Sequence, residues 1–224
     1  MMSDERCGHS DSTALDDAEA VRNLVLTERS AKDLARWDEM EAAFDEEASV
    51  RVSWFQGSGA EFVAASRRRN RAGGTPSFHE LGSVRVTLHD DRAVASATCT
   101  VHIRGVLDGP SGGVEVDVAS RGLLYWRVRR CDRWRIAGLD MIYMRDTIAP
   151  ADPTRPIPPG ALAGVQTYRP SYRWLSLLLA AKGYQIDGEL PGIDRPDLID
   201  AFLVDQERWL FGDERPASAH AASR

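Results

Sequence analysis

Glu28 shares a helical stripe with Val21, Leu24 and Val25, which aims its carboxylate at apolar neighbours instead of water. A carboxyl held there loses solvation and keeps its proton to higher pH, so it can act as a proton donor. The alternative is an ion pair with an inward arginine. Asp140 lies on a strand face with Trp134, Ile136 and Ile142. It can line a pocket floor or complete a structural pair, and the residues alone leave both open. Asp33 at the end of a helix and His79 at the start of a strand have side chains suited to proton transfer. An imidazole titrates near neutrality, and a carboxylate holding one ring nitrogen leaves the other free as a base. Taken singly, the two read more readily as a helix-end carboxylate and a satisfied core histidine. Trp54, Tyr125, Trp126 and Tyr143 offer flat faces for a ring-bearing ligand, although core packing accounts for most of them. His102 alternates with Thr98, Thr100 and Arg104 and is read as part of a solvated face.

Other chemistries find little footing. No His, Cys, Asp or Glu pair recurs at a zinc-ligand spacing, and Asp45-Glu46-Glu47 reads as a solvated turn, so no metal is expected. No glycine-rich loop opens a helix after a strand, and Gly57-Ser58-Gly59 lacks the lysine of a phosphate loop, so no cofactor is expected either. The turn at 108–113 joins two strands, whereas the nucleophile elbow of serine hydrolases joins a strand to a helix.

The chain has 224 residues, 43% hydrophobic and 28% charged, which suits one main globular domain with an appendage. A net charge of -6 gives no general attraction to phosphate backbones or anionic lipid, so nucleic acid and membrane are not expected partners. Cys7, Cys99 and Cys131 are too few and too scattered for a disulfide framework and read as reduced thiols. With no signal-peptide pattern and no apolar run of membrane-spanning length, the expected location is cytoplasmic.

The elements that position these residues follow from periodicity. Residues 1–14 and 213–224 lack apolar periodicity and are expected to fray. Apolar residues at three- and four-residue steps predict a helix over 16–34, with further helices over 38–44 and 60–70 around a strand at 49–55. Period two then dominates: 77–88, 93–106, 114–129 and 134–145 predict four long strands joined by short turns, hence antiparallel hairpins in one curled sheet. Five prolines between residues 148 and 160 predict a linker over 149–167. Two amphipathic helices, at 172–181 and 196–210, form an extension over 168–212 that must dock on the sheet, over a pocket mouth, or on a second subunit.

The order of these elements resembles the SnoaL-like branch of the nuclear-transport-factor-2-like superfamily over residues 15–148. Four passages carry the resemblance: Asp33-Leu34-Ala35-Arg36-Trp37-Asp38, Phe44-Asp45-Glu46-Glu47-Ala48, Phe78-His79-Glu80-Leu81-Gly82, and the hairpin at 129–136. It implies an α+β cone, a curved antiparallel sheet covered by three N-terminal helices, to which this chain adds a C-terminal helical extension. Dehydratases and a dehydrochlorinase of this superfamily use a His-Asp dyad drawn from two places that match Asp33 and His79. At the place matching Glu28 the dehydrochlorinase has lysine, so that role does not carry over.

The resemblance implies a cofactor-independent lyase that removes water or formaldehyde from a small hydrophobic, hydroxylated, ring-bearing compound. His79 is then the base, Asp33 its support, and Glu28, Asp140 or a pocket tyrosine the acid. Trp54, Tyr125, Tyr143, Arg121 and Tyr168 are the candidate substrate contacts. A ketosteroid-isomerase-type shift of a double bond and a noncatalytic small-molecule-binding domain are the alternatives, because the fold fixes no reaction. The family habit of packing the open sheet face implies a homodimer.

Overall fold

The computed structural model describes residues 8–71, 77–108 and 112–212, with side chains from residue 14 onward. The helix α1 (Gly8–Asp33) leads into α2 (Trp37–Ala43), β1 (Phe44–Val52), β2 (Phe55–Ser58) and α3 (Gly59–Arg71). The strands β3 (Phe78–Leu81), β4 (Arg85–His89), β5 (Arg92–Leu107), β6 (Val114–Arg130) and β7 (Trp134–Pro150) follow, and α4 (Arg173–Ala181) and α5 (Pro196–Phe211) close the chain. Within the expected N-terminal tail, α1 is already helical from Gly8; residues 1–7, with Cys7, and the expected tail at 213–224 lie outside the described residues. The strand expected over 77–88 is two strands, β3 and β4, both paired antiparallel to β5.

Among the described residues seven strands form one curled, unclosed sheet in the order β2-β1-β7-β6-β5-β3, with β4 also on β5. The pairs are antiparallel except β1 with β7, which run parallel because β2, α3 and the long hairpins intervene between them. Alternation sets the two faces: Ala93, Ala95, Ala97, Cys99, Ile103 and Leu107 of β5 are buried, while Thr98, Arg104 and Val106 are exposed. The helix α1 crosses the inner face and buries Val21, Val25 and Glu28 under it.

Two bulges in β7 change which residues face inward. Val128 pairs with Ile136 but Arg127 with Gly138, so Ala137 is an extra residue; Arg121 pairs with Arg145 but Gly122 with Tyr143, so Met144 is another. Each inserted residue inverts the alternation beyond it. The first puts Leu139, Met141 and Tyr143 on the inner face and turns Asp140 outward, correcting its expected place beside Ile136. The second is packed closely enough that a Cβ on Gly122 would lie 2.1 Å from the carbonyl oxygen of Ile142.

The C-terminal helices separate onto opposite faces. Leu178 of α4 meets Gly105 on the inner face, whereas Phe202 of α5 lies edge-on to Tyr125, 5.1 Å between ring centroids, on the outer face. The sheet continues to Pro150, so the first residues of the expected linker belong to β7. Asp146 of β7 accepts the Leu175 backbone N–H at 2.7 Å and so caps the first turn of α4 from across the chain. Asp146→Ala should therefore lower stability by about 1 kcal/mol, the usual worth of an N-cap. A urea midpoint unchanged by the substitution would show that α4 needs no such cap.

Candidate active site

The α1–α2 junction sets Asp33. Arg36 N–H donates to the Ala31 carbonyl at 2.8 Å and Ala35 N–H to that of Lys32 at 3.3 Å, with Ala35 at φ +58°. This is a left-handed helix end of the kind glycine favours, and an alanine there is held at a cost of about 1–2 kcal/mol. It stops the helix at Asp33 and leaves that carboxylate beside the first residues of β3.

Both Asp33 oxygens are used by one residue: Oδ2 accepts the His79 backbone N–H at 2.7 Å and Oδ1 faces Nδ1 at 2.7 Å. On the other side of the ring, Nε2 lies 3.4 Å from Nη1 of Arg29. A carboxylate has no proton to give and a guanidinium no lone pair to offer, so a neutral imidazole here carries its proton on Nδ1 and a lone pair on Nε2 that accepts from Arg29. Burial lowers His79 to about 3, against the pull of the Asp33 hydrogen bond, with Arg29 and Lys32 adding to the decrease. Burial acts to raise the Asp33 carboxyl, but the hydrogen bonds from His79 outweigh it and hold it below its ordinary value. The pair therefore rests as carboxylate and neutral imidazole.

His79 lines a narrow, partly open pocket on the inner face of the sheet. Its apolar wall includes Trp54, Phe62, Leu124, Met141 and Leu175, and its polar groups are Arg29, Lys32, Arg69, Ser53, Ser77 and Tyr143. Tyr143 accepts the Ser53 backbone N–H at 2.8 Å, and burial pushes its phenol well above the ordinary value. Trp54 is tilted against Phe62, with ring centroids 5.6 Å apart, and carries the Arg69 guanidinium 5.1 Å from its centroid.

The structure thus brings Asp33, His79, Trp54 and Tyr143 together and leaves other expected residues outside. Glu28 is fully buried but lies behind Arg29, accepting Nε at 2.8 Å and Nη2 as well, with Trp126 Nε1 3.4 Å away. That is the ion pair with an inward arginine, not a donor facing the pocket. Asp140 faces outward and pairs with Arg127 at 3.4 Å. Tyr125 is on that outer face under Phe202, and Arg121, exposed, points the same way. Tyr168 does not line the pocket; Leu175 of α4 does, while Tyr172 stacks behind Tyr143 with centroids 4.7 Å apart. Among the described residues no cluster of three or more His, Cys, Asp or Glu side chains could hold a metal ion, and no helix is long and apolar enough to cross a membrane.

Arg29, Lys32 and Arg69 are the charged pocket residues that sequence reasoning missed. Lys32 continues the inward stripe Val21, Val25, Glu28 at the next helical step, and Arg69 lies two turns after Phe62, so periodicity held the signal.

Residues 13–140 match the family model of the SnoaL-like domain. The chain belongs to the SnoaL-like family. The match spans the dyad, the pocket helices and the sheet as far as Asp140, and stops short of the extension that supplies Leu175. No curated protein matches the chain. Among solved structures, a Novosphingobium aromaticivorans protein provisionally assigned as a scytalone dehydratase is 16% identical, with 67% of this chain and 97% of that one covered and a TM-score of 0.50. A second protein from the same organism, nuclear-transport-factor-2-like with a cystatin-like fold, is 20% identical, with 63% and 90% covered and a TM-score of 0.45. A type 2 hexachlorocyclohexane dehydrochlorinase is 14% identical, with 67% and 99% covered and a TM-score of 0.48. At 16% identity the likeness to the first of these is one of fold alone.

Proposed function

We propose that this SnoaL-like protein is a cofactor-independent lyase that eliminates water or formaldehyde from a small, hydroxylated, ring-bearing compound. The observation that carries the reading is the Asp33–His79 pair: both carboxylate oxygens are committed to one histidine whose remaining nitrogen keeps its lone pair, facing Arg29, at the wall of the pocket. That is a base built to accept one proton, with a carboxylate placed to stabilise the imidazolium.

In dehydration, Nε2 of His79 takes a proton from carbon, the released electron pair forms the double bond, and the carbon–oxygen bond breaks. The leaving hydroxyl takes a proton from Tyr143 and departs as water. Tyr143 suits the role because its oxygen already accepts the Ser53 N–H, which leaves its own hydrogen free, and burial keeps the phenol protonated. The proton on His79 returns to Tyr143 through water. In formaldehyde release, His79 takes the proton of a terminal hydroxyl, the adjacent carbon–carbon bond breaks as formaldehyde leaves, its electron pair forms the new double bond, and the benzylic hydroxyl departs as water with a proton from Tyr143. Trp54 and Phe62 form the surface for the ring.

Mass spectrometry of the protein incubated in D₂O with ring-bearing alcohols, ketosteroids and diarylpropane diols tests this. The expected result is loss of ~18 mass units as water from an alcohol, or of ~48 as formaldehyde and water together from a diol, set by the leaving groups of such an elimination. Deuterium uptake without net loss would replace the lyase with an isomerase. Binding without any turnover would leave a binding domain.

A further inference from the structure

The pocket's charges are unbalanced, and the imbalance names a substrate feature. Three cations line it, Arg29, Lys32 and Arg69, and two carboxylates stand against them, Glu28 behind Arg29 and Asp33 on His79. Glu28 is committed to Arg29 and Asp33 to His79. Among the described residues neither Lys32 nor Arg69 has a carboxylate within ion-pair distance; Arg69 has only the faces of Trp54 and Tyr184, 5.1 and 5.5 Å away, and Lys182, just past the end of α4, adds a further cation near it. Lys32 and Arg69 are both part-buried, where a missing counter-charge is costly, and burial lowers Lys32 to about 7, with Arg29 and Arg69 adding to the fall. The same cations help to depress His79, which makes the empty pocket a poor place to create an imidazolium.

We infer that the substrate of this pocket carries a carboxylate, held by Lys32 and Arg69, with its apolar body against Trp54, Phe62, Leu124 and Met141. The inference rests on the reading of this pocket as the substrate site. An anionic group there supplies the missing counter-charge, restores the proton on Lys32 and relieves the cationic pressure on His79. Substrate binding then strengthens the base as it fills the site. A neutral ring-bearing alcohol does none of these things.

Binding also becomes pH-dependent. The groups facing Lys32 are Arg29, Asp33 and Glu28 on α1, Arg69 on α3, His79 on β3 and Cys99 on β5, whose thiol burial pushes to about 11 and so keeps uncharged. Among these, Lys32 is the group that changes charge near neutrality. A carboxylate ligand favours the ammonium, so its affinity should fall as pH rises above about 7 and should be accompanied by proton uptake.

The test is calorimetric titration with 3-phenylpropanoate, its amide and its methyl ester, on the unaltered protein and on His79→Gln. The carboxylate should bind at least tenfold more tightly than the amide or ester on both proteins. Its affinity should weaken between pH 6 and 8.5, while that of the neutral ligands stays constant. Lys32→Met and Arg69→Met should each cost the carboxylate about tenfold and the amide nothing. Equal or tighter binding of the amide, a pH-independent carboxylate, or no heat with any of the three ligands would overturn the inference, and none of these readings needs the variants to fold. Charge-selective binding without turnover of any substrate would uphold it while sinking the lyase.

Discussion

His79→Gln should reduce turnover of any substrate eliminated in this pocket by roughly 10²- to 10⁴-fold while leaving ligand binding within a few-fold. Glutamine approaches the shape of the ring and can keep a contact to Asp33, but it has no basic lone pair. The loss therefore belongs in kcat, and KM should move little. Asp33→Asn should approach the same loss by a different route. His79 presents two donors, its backbone N–H and Nδ1–H, and Asp33 now accepts both. An asparagine has one oxygen and one NH₂, so it can satisfy only one of them. If it keeps the backbone N–H, the amide nitrogen faces Nδ1 and drives the proton to Nε2, where Arg29 already presents a donor and the lone pair is needed for catalysis. The decisive readout is the pH profile of kcat/KM. In the unaltered protein the acid limb should lie well below neutrality, because burial holds His79 near 3 in the empty site. That limb should vanish in His79→Gln. Full activity in both variants would remove the dyad from the mechanism, whatever the family habit.

How much of this was legible in the sequence depended on whether a signal was periodic. The long strands were, because β5, β6 and most of β7 alternate strictly and are separated by turn-forming residues, and a period-two signal over about fifteen residues has no helical reading. The dyad was legible only through the family, since Asp33 and His79 are 46 positions apart and nothing local links them. Asp140 was misplaced for an exact physical cause. Its face was inferred from Ile136 and Trp134 by counting in twos, and the count crosses the inserted Ala137; the adjacent Gly138, a lone glycine inside a strand, was the sign of a bulge that the count passed over. Tyr125 has the right alternation for the outer face, but an aromatic residue in a strand gives no sign of which side will be covered, and here α5 covers the outer one. The two C-terminal helices are similarly amphipathic, so their hydrophobic stripes announced burial without saying that α4 would enter the concave side and α5 the convex side.

The cations of the pocket were hidden by a different prior. Lysine and arginine on a helix are nearly always solvated, and the Arg67-Arg68-Arg69 run had a sufficient explanation in the helix C-terminus. What distinguishes Arg69 from its neighbours is its step of seven from Phe62, and what distinguishes Lys32 is its step of four from Glu28. Both steps return to the buried face. A charged residue on such a stripe belongs to the interior, and the question it raises is what neutralises it.

Glu28→Gln should be the most destabilising of the substitutions considered, by about 3–5 kcal/mol, because it leaves the Arg29 guanidinium buried without its counter-charge. Glu28 is fully buried and Arg29 only 4% exposed, so water screens neither, and the carboxylate receives Nε and Nη2 of Arg29 with Trp126 Nε1 close by. For a chain of this length the loss corresponds to a fall in Tm of roughly 6–20 °C. The informative comparison is the double replacement Glu28→Met with Arg29→Met. Removing both charges also removes both desolvation penalties, so the double variant should be far more stable than Glu28→Gln and close to the unaltered protein. If stability were all the pair provided, that variant would also be active. It should instead be impaired, because Arg29 is the donor facing Nε2 of His79 and one of the three cations lining the pocket. Recovered stability with recovered activity would reduce Glu28 and Arg29 to a buried structural pair. Recovered stability with lost activity would show that this costly pair is kept beneath the sheet in order to present a guanidinium to the base.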